Sequence, residues 1–327
     1  MSTAIDATAA QKLRRGVIRR LIRHSRAQFP VCLVGLVLVA AIIRVTVQDR
    51  LPGLAMLYYA TPPAILAMLL FGAGGIWLIR RRWQLAIGCL LAASACALWW
   101  QQTTWFHHPP AAIAEDDIRI LCWNTARGWC GWEPAALEIQ RQDADLIGLV
   151  EAGYHATAMA NHWHQYLPNY NIFTFDTGIA ILSRFPARPV ARGSLAQRGR
   201  YEHCAVQIRD KTVHLIVVDL RGEPLHSRRP PLEALSAVLA PLSDQRVIVM
   251  GDFNTPTDSV YFHDLRRSYI NAFETAGTGN VATWPALAPV LTIDHIWTTP
   301  GVKVRQCDHA AARPSDHRWV KARIAIE

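Results

Sequence analysis

The sequence lacks several features that commonly identify a function. Its seven cysteines show no CxxC spacing, which argues against a thiolate-bound structural metal. Three of them, Cys32, Cys89 and Cys96, lie in apolar stretches, where a thiol packs as a small hydrophobic group. No internal repeat is evident, so nothing indicates a repeat architecture. The function must therefore be sought in charge distribution, apolar runs and polar motifs.

Acidic residues are scarce in the N-terminal third of the chain. Residues 1–106 contain 12 Lys/Arg and only 2 Asp/Glu, whereas the remainder contains 22 and 23. The net charge of +9 therefore belongs to the N-terminal third. The C-terminal two-thirds lack the general basic excess that nonspecific nucleic-acid binding usually needs, although a local basic strip is not excluded.

Three long apolar runs occupy that N-terminal third, near residues 30–48, 54–79 and 83–105. Each is long enough for a helix to cross about 30 Å of hydrocarbon. The second run is interrupted by Pro62-Pro63, and the third closes with Trp99, Trp100 and Trp105, which suit a headgroup belt. The pattern predicts a membrane region over residues 1–106 with three transmembrane helices.

The distribution of basic residues predicts the orientation of these helices. Seven Lys/Arg precede the first run, between Lys12 and Arg26, and Arg80-Arg81-Arg82 link the second and third runs. By the positive-inside rule, both segments are expected in the cytoplasm. Three crossings then place residues after about 106 in the periplasm or cell exterior of a bacterium, anchored in the inner membrane. Two crossings would reverse this side, and a nucleic-acid-binding tail is the alternative for the basic arm.

The remaining chain reads as a linker over 107–116 and a domain over 117–327. Predicted strands outnumber helices, and several strands are continuously apolar, which indicates burial on both faces. The sequence predicts an α/β domain in which two packed sheets have helices outside.

Polar side chains follow several of these apolar strands. Asn124, Glu151, Asp252 with Asn254, and Asp316 with His317 each end a predicted strand, and Asp294 lies inside another. A buried acid costs several kcal/mol unless it is paired or bound to metal. Taken singly, each acid is more often a turn residue or cap. Together they provide hard oxygen ligands and a proton-transfer group, as cleavage of a phosphate ester with a divalent cation requires.

These motifs resemble those of the endonuclease/exonuclease/phosphatase superfamily, which includes DNase I-like nucleases, neutral sphingomyelinases and inositol-phosphate phosphatases. The resemblance runs from about residue 117 to 327, in the order of the family. The matching segments are Arg119–Asn124, Asp145–Glu151, Gly178–Arg184, Val249–Asn254, Ile293–Ile296 and Ser315–His317. The Val249–Asn254 segment is the most specific single match.

The resemblance implies a four-layer α/β sandwich of two mostly antiparallel sheets between helices, with a bound Mg²⁺ or Mn²⁺. It implies that Glu151 holds the cation with help from Asn124 or Asp316. It also implies that Asp252 orients or deprotonates the attacking water and that Asn254 positions it. His317 would stabilise the charged state or transfer a proton, with Asp294 fixing its imidazole.

One position departs from the family pattern. Most members carry a histidine or tyrosine after the strand that here is Val213–Val218, whereas this chain has Asp219, Leu220 and Arg221. An ionised Asp219 cannot donate to a phosphate. Either a nearby donor (Arg221, Arg228 or His226) replaces it, or the activity is reduced or tuned to another substrate. Arg200 is a further candidate for contact with phosphate.

Two functions from different classes follow from these observations. The first is a membrane-anchored, metal-dependent phosphoesterase whose substrate is a nucleic acid, a phospholipid or an inositol phosphate. The second is a membrane-tethered binding or scaffold module that uses the same fold without turnover, for which the Asp219 substitution is the best support. A transporter is a weaker third possibility, because the polar residues lie outside the apolar runs. No obligate protein partner is evident.

Overall fold

The computed structural model describes residues 28–109, 111–223 and 225–327. The basic arm before the first apolar run lies outside the described residues, and with it most of the charge on which the predicted orientation depends. The described chain forms two compact units. One contains the described residues up to 47 together with 60–100, and the other contains residues 48–59 and 101–327.

The first unit is built from apolar helices. Helix α1 (Gln28–Val45) and helix α4 (Trp83–Thr104) are each long and apolar enough to cross a membrane. Between them in the chain, α2 (Pro52–Ala60) and α3 (Pro63–Ile79) are separate helices, which together would make a third span only as a bent pair. The predicted run 54–79 is thus not one continuous helix, because Pro62 and Pro63 cannot donate backbone hydrogen bonds. The number of crossings stays a prediction.

The larger unit contains two six-stranded sheets. Sheet I has the order β10-β12-β9-β8-β7-β6, and sheet II has the order β13-β14-β2-β3-β5-β4. Within each sheet one central pair is parallel, β8 with β9 and β2 with β3, and the other pairs are antiparallel. A separate two-stranded ladder pairs β1 with β11.

The strand bounds follow in chain order. They are β1 (Trp105–His107), β2 (Ile118–Asn124), β3 (Leu146–Val150), β4 (Asn171–Thr174), β5 (Ala180–Ser183), β6 (Ala187–Ser194), β7 (Gly199–Ile208), β8 (Lys211–Leu220), β9 (Val247–Asp252), β10 (Ile270–Asn271), β11 (Thr278–Asn280), β12 (Asp294–Thr298), β13 (Val302–Ala311) and β14 (Arg318–Ile326). Besides α2, the described helices of this unit are α5 (Trp132–Gln142), α6 (Ala156–Tyr166), α7 (Arg229–Leu239) and α8 (Ala272–Ala276), with short 3₁₀ turns between elements.

The main core lies between the inner faces of the two sheets. It joins residues of sheet II such as Ile120 and Leu146 with residues of sheet I such as Val217 and Met250, all of them buried. Gly148 on β3 marks a close approach of the two sheets, since a Cβ there would come within 2.7 Å of the Val217 side chain. Any larger residue would push the sheets apart, which explains a glycine inside a central strand.

Two further clusters cover the outer faces. Helices α5 and α6 pack on sheet II around Trp123, Ile147 and Trp163, while α7 packs on sheet I around Ile216 and Phe253. The order is therefore helix, sheet, sheet, helix. The predicted four-layer α/β sandwich is confirmed.

Local details differ from the predicted elements. Residues 259–267, whose composition resembles that of a helix, form a pair of 3₁₀ turns instead, Val260–Phe262 and Leu265–Arg267. His107, expected in a linker, belongs to β1 and pairs with Thr278. Strands β4 and β6 have no strong apolar pattern, since both lie at sheet edges where little of the strand is buried.

Candidate active site

Three aspartates stand side by side across adjacent strands of sheet I. Asp252 at the end of β9 is the register partner of Asp219 on β8 and of Asp294 at the start of β12. Arg200 on β7 continues the row as the partner of Asp219. Neighbours in register project from the same face of a sheet. Residues far apart in sequence therefore form one row of charge at one edge of the sandwich, which we call the site edge.

The position of Asp252 is fixed by hydrogen bonds from two asparagines and by the backbone of the preceding glycine. Asn124, from the end of β2 in the other sheet, donates from Nδ2 to Asp252 Oδ2 at 3.0 Å. The backbone N–H of Asn254 donates to Oδ1 at 2.8 Å, and its Nδ2 donates to Oδ2 at 3.0 Å. The preceding Gly251 has φ +148°, and a Cβ there would lie 1.9 Å from the carbonyl oxygen of Val218. Only glycine fits, so the backbone fixes the position of Asp252.

His317 and Asp294 form a buried pair beside Asp252. The Nδ1 atom of His317 lies 3.0 Å from Oδ2 of Asp294, and the hydroxyl of Thr283 donates to the same oxygen at 2.6 Å. A carboxylate on Nδ1 places the proton there and leaves Nε2 to face the site. Ligand atoms of Asp252, Asp294 and His317 all lie within 4.8 Å of one another.

The loop that carries His317 is fixed by Ser315. Its hydroxyl donates to the carbonyl of Asn124 at 2.7 Å and accepts from the backbone N–H of His317 at 3.0 Å. The next residue, Asp316, accepts from Trp284 Nε1 at 3.0 Å. Ser315 thus ties the end of β2 to the His317 loop, and Trp284 orients Asp316.

Glu151 follows β3 at the same edge, with its backbone in the left-handed region at φ +53°. Its carboxylate is paired with Arg127, whose Nε lies 3.0 Å from Oε2. The Arg127 side chain is 67% exposed, whereas that of Glu151 is 24% exposed. An exposed arginine holds its partner weakly, so this pair can open to admit another cation.

Electrostatics in the site favour a positive charge. Burial, reinforced by the charge of Asp294, raises the pKa of Asp252 well above its usual range. Burial, reinforced by Glu151, raises the pKa of Asp219 to about 6. Burial alone would lower the pKa of His317, but the contact with Asp294 outweighs it and raises that pKa to about 10. The raised carboxyl pKa values show that the positive groups of the site do not fully offset the burial and mutual repulsion of Asp219 and Asp252.

This donor set fits a divalent cation. Carboxylate and amide oxygens are the ligands that Mg²⁺ and Mn²⁺ prefer, and a bound cation would relieve the raised carboxyl pKa values. The geometry groups Asp252, Asp294 and His317 as possible ligands. Glu151, Asn124 and Asp316, the predicted ligands, lie in loops or strand ends at the same edge, and Glu151 interacts electrostatically with Asp219.

The predicted phosphate donors differ in how available they are. Arg228 is 5% exposed, and its guanidinium donates to the carbonyls of Arg221 and Asn254 at 2.6 and 3.1 Å. His226 is paired with Glu223 at 2.9 Å. Arg200 donates to the carbonyl of Thr177 at 2.7 Å. Arg221 is 55% exposed and only 3.7 Å from Glu223, so it is the most available of the four.

Sequence reasoning missed several residues that shape the site. Arg127 has no motif of its own, and its part becomes visible only through its partner Glu151. Ser315 lies in a matching segment, but its bonds to Asn124 and His317 become visible only in the fold.

Asp49 and Tyr59 lie beside the site in the larger unit, although Asp49 stands in the short link between the first two apolar runs and Tyr59 stands inside the second. A lone carboxylate between two apolar runs is the signal that could have pointed to Asp49.

Comparisons with known proteins agree with this fold. The chain resembles a Bacteroides thetaiotaomicron mannosyl-6-phosphatase at 18% identity and a TM-score of 0.53, over 64% of this chain and 100% of that one. It resembles D. rerio TDP2 in complex with a single-strand DNA product at 14% identity and a TM-score of 0.51, over 64% of this chain and 99% of that one. At these identities the likeness shows the fold alone.

An endonuclease/exonuclease/phosphatase from Bacteroides vulgatus matches at 18% identity and a TM-score of 0.51, over 64% of this chain and 99% of that one. No curated protein matches the chain. The model of the endonuclease/exonuclease/phosphatase family matches residues 121–317, more than half of the chain, and includes every residue of the row and the His317 loop. The chain belongs to the endonuclease/exonuclease/phosphatase family.

Proposed function

We propose that the chain is a membrane-anchored phosphoesterase that hydrolyses a phosphodiester or phosphomonoester with the help of Mg²⁺ or Mn²⁺. The buried cluster of Asp252, Asp294 and His317, with two amides on Asp252, is the observation that carries the proposal. A structural role does not require two carboxylates this close together in a buried position. Hydrolysis of a phosphate ester requires such groups.

Asp252 is the residue that we assign to the attacking water. Its carboxylate accepts one water proton while the water oxygen forms a bond to phosphorus. The bond from phosphorus to the leaving oxygen breaks, and that oxygen departs with the electron pair. Asn254 and Asn124, both within 3.0 Å of Asp252, hold the carboxylate and position the water.

His317 is the positive group of the site. Because Asp294 raises its pKa, the imidazole carries a proton at neutral pH and donates from Nε2 to a phosphoryl oxygen or to the leaving oxygen. Asp294 is a positioning residue that acts through His317, and Thr283 holds Asp294 in turn.

We assign Glu151, with Asn124 and Asp316, to the cation. When bound, the cation supplies positive charge that offsets the carboxylates and the phosphoryl oxygens. Asp219 adds negative charge to the row, so this site depends more strongly on a cation than one with histidine there. Arg221 is more available than Arg200, Arg228 or His226, so it is the residue that we assign to the substrate phosphate, while Arg200 acts on Asp219 through its charge.

Membrane anchoring is supported by the apolar helices α1 and α4, each long enough to cross a membrane. The basic links in the sequence favour a cytoplasmic N-terminus, so we place the larger unit on the non-cytoplasmic side, in the periplasm or cell exterior. Labelling of an engineered cysteine on the larger unit with an impermeant reagent in intact cells tests this side.

The enzymatic proposal is tested with the full chain in detergent and bis-p-nitrophenyl phosphate as substrate. We expect release of p-nitrophenol that requires Mg²⁺ or Mn²⁺ and is lost on chelation. A rate no higher than that of the Asp252→Ala/His317→Ala double variant would favour a non-catalytic scaffold. A panel of DNA, RNA, phospholipid and inositol phosphate then identifies the substrate class.

A further inference from the structure

The segment Gln48–Tyr59 is part of the larger unit, although both ends continue into apolar helices. Its anchor is Asp49, which is fully buried. The Asp49 carboxylate accepts from Tyr59 Oη at 2.9 Å, from the backbone N–H of Val260 at 3.2 Å and from the Ser259 hydroxyl. A buried carboxylate with three donors fixes the segment firmly.

The two tyrosines of α2 complete this attachment. Tyr58 is 2% exposed and donates from Oη to the carbonyl of Asp258 at 3.0 Å. In return, Tyr261 donates to the carbonyl of Asp49 at 3.2 Å. The inner face of α2 therefore packs on the loop that follows β9, the strand that ends in Asp252.

One side chain connects α2 to the site. The guanidinium of Arg228 lies 5.8 Å from the centre of the Tyr59 ring and donates to the carbonyl of Asn254 at 3.1 Å. A guanidinium over an aromatic face is a favourable contact. The side chain of Arg228 therefore contacts both α2 and the loop that carries Asn254.

The outer face of this segment is apolar. Leu51 is 54% exposed and Met56 is 50% exposed, while Pro52 and Gly53 beside them are exposed as well. The sequence has no Asp or Glu between residues 50 and 60. This face has the composition of a helix that lies in a membrane interface rather than in water.

The other loops of the site edge also expose large apolar side chains. Each of these loops adjoins a strand that bears or leads to a site residue: β2, β3, β8 and β12. Single exposed apolar residues are normal, but several around one edge indicate a binding surface. With Leu51 and Met56 they form what we call the apolar rim: Trp129 at 68% exposure, Tyr154 at 39%, Leu225 at 64% and Leu287 at 94%.

The opposite edge of the sandwich has a different character. Arg119 and Arg184, at the start of β2 and after β5, form ion pairs with Asp143 and Asp145. Charged pairs suit a surface in water, whereas tryptophan, tyrosine and leucine suit the boundary between headgroups and acyl chains. The two edges of the larger unit thus favour different surroundings.

We propose that the apolar rim lies in the headgroup region of a lipid bilayer and that the site acts on a phosphoester carried by a membrane lipid. Chain continuity identifies the occupant as lipid, because residues 48–59 follow a helix long and apolar enough to cross a membrane and lead directly into the apolar helix α3. The rim residues lie on loops that adjoin the site strands, so a phosphate at headgroup depth reaches Asp252 without leaving the bilayer. The substrate class rests on the proposed phosphoesterase function.

The location of the rim is tested with the full chain in phosphatidylcholine proteoliposomes. The exposed cysteines Cys32 and Cys130 are changed to Ser, and an environment-sensitive fluorophore is attached at Met56→Cys or Leu287→Cys. Val190→Cys, 44% exposed on the edge strand β6, is the matched control. We expect blue-shifted emission and quenching by spin-labelled lipid at the first two positions, and quenching by aqueous iodide at the control.

Labels at Met56 and Leu287 that are quenched by iodide as strongly as the control would overturn the proposal. Protection from both iodide and spin-labelled lipid would also overturn it, because that result indicates a protein on the rim.

The substrate class is tested with two esters that share a leaving group. Bis-p-nitrophenyl phosphate is soluble, and phosphatidyl-p-nitrophenol is anchored in the same proteoliposomes. We expect the Trp129→Glu/Leu287→Glu variant to lower the ratio of lipid-ester to soluble-ester turnover about tenfold, and the Val190→Glu control to leave it unchanged.

The outcomes separate the two proposals. If the wild-type chain cleaves neither ester, nor p-nitrophenyl phosphate as a monoester, the phosphoesterase function fails. If it cleaves the soluble ester and the rim variant leaves the ratio unchanged, the function stands and the inference about lipid fails.

Discussion

His317 and Asp294 are 23 residues apart in sequence, yet their side chains meet at 3.0 Å and are both buried. The histidine comes from the loop before β14 in sheet II, and the aspartate comes from β12 in sheet I. The pair therefore exists only when the two sheets are packed. Correct assembly of the sandwich and assembly of the site are the same event.

Asp252→Asn and His317→Ala are expected to lower turnover of bis-p-nitrophenyl phosphate by about 10²–10⁴-fold, the usual size of a proton-transfer or charge-stabilising contribution. Each replaces a buried group, so circular dichroism must show an unchanged fold. Asp244→Asn, an exposed acid at the far end of β9, is the control and retains the wild-type rate. Wild-type rates in both site variants would remove these residues from the mechanism.

Asp294→Asn is expected to act through His317. The amide no longer stabilises the imidazolium, so the pKa of His317 falls from its raised value. The basic limb of the pH–rate profile should therefore move to lower pH, together with a loss of turnover. A lower rate with an unshifted profile would mean that Asp294 serves packing alone.

Glu151→Gln should weaken Mg²⁺ binding by about 10–100-fold, because a charged oxygen ligand is replaced by a neutral one. Asp219→Asn should weaken Mg²⁺ binding less, because Asp219 would act on the cation through its charge and not as a ligand. Calorimetric titration of the purified full chain measures both without reference to turnover. The exposed Glu233→Gln variant is the control. An unaltered titration for Glu151→Gln would exclude it as a ligand.

The lowered pKa of His203 leads us to expect a loss of folding stability in mild acid. Burial and the neighbouring His214 lower the pKa of His203 to about 4, below the unfolded value of 6.5. Between pH 6.5 and 4 the imidazole of His203 is protonated in the unfolded chain but not in the folded chain. The stability present above pH 6.5 is therefore lost as the pH falls through this window. Thermal unfolding of His203→Gln should depend less on pH there, whereas the exposed His263→Gln should match wild type.

Asp49→Ala is expected to lower the free energy of unfolding of the larger unit by about 1–3 kcal/mol, since buried donors on Ser259 and Val260 lose their acceptor. Chemical denaturation monitored by tryptophan fluorescence measures this difference. Equal stability of the variant and the wild type would show that residues 48–59 are not an integral part of the unit.

Much of the fold was predictable because the central strands are buried on both faces. Strands such as β3 and β9 are continuous apolar runs, and their polar ends, Glu151 and Asp252, stand out against them. The order of the motifs along the chain then indicated the family. The row of Asp219, Asp252 and Asp294 was not predictable, because strand register is a property of the assembled sheet.

The rest escaped sequence reasoning for physical reasons. Helix α2 has the composition of a membrane helix, and only the partners of Asp49 and Tyr59 distinguish it from its neighbours. Arg127 looks like any loop arginine until the fold places it on Glu151. In each case the deciding interaction joins distant parts of the chain.

The edge strand β6 has a further consequence. It leaves one side of sheet I open, but it carries Arg188, Pro189 and Arg192, and its pairing with β7 is irregular between Pro189 and Ala191. Proline, charge and a bulge each discourage another strand from adding to an open edge. Copies that lie close together on one membrane surface therefore do not readily pair through the β6 edges of their sheets. This edge resists polymerisation by strand addition.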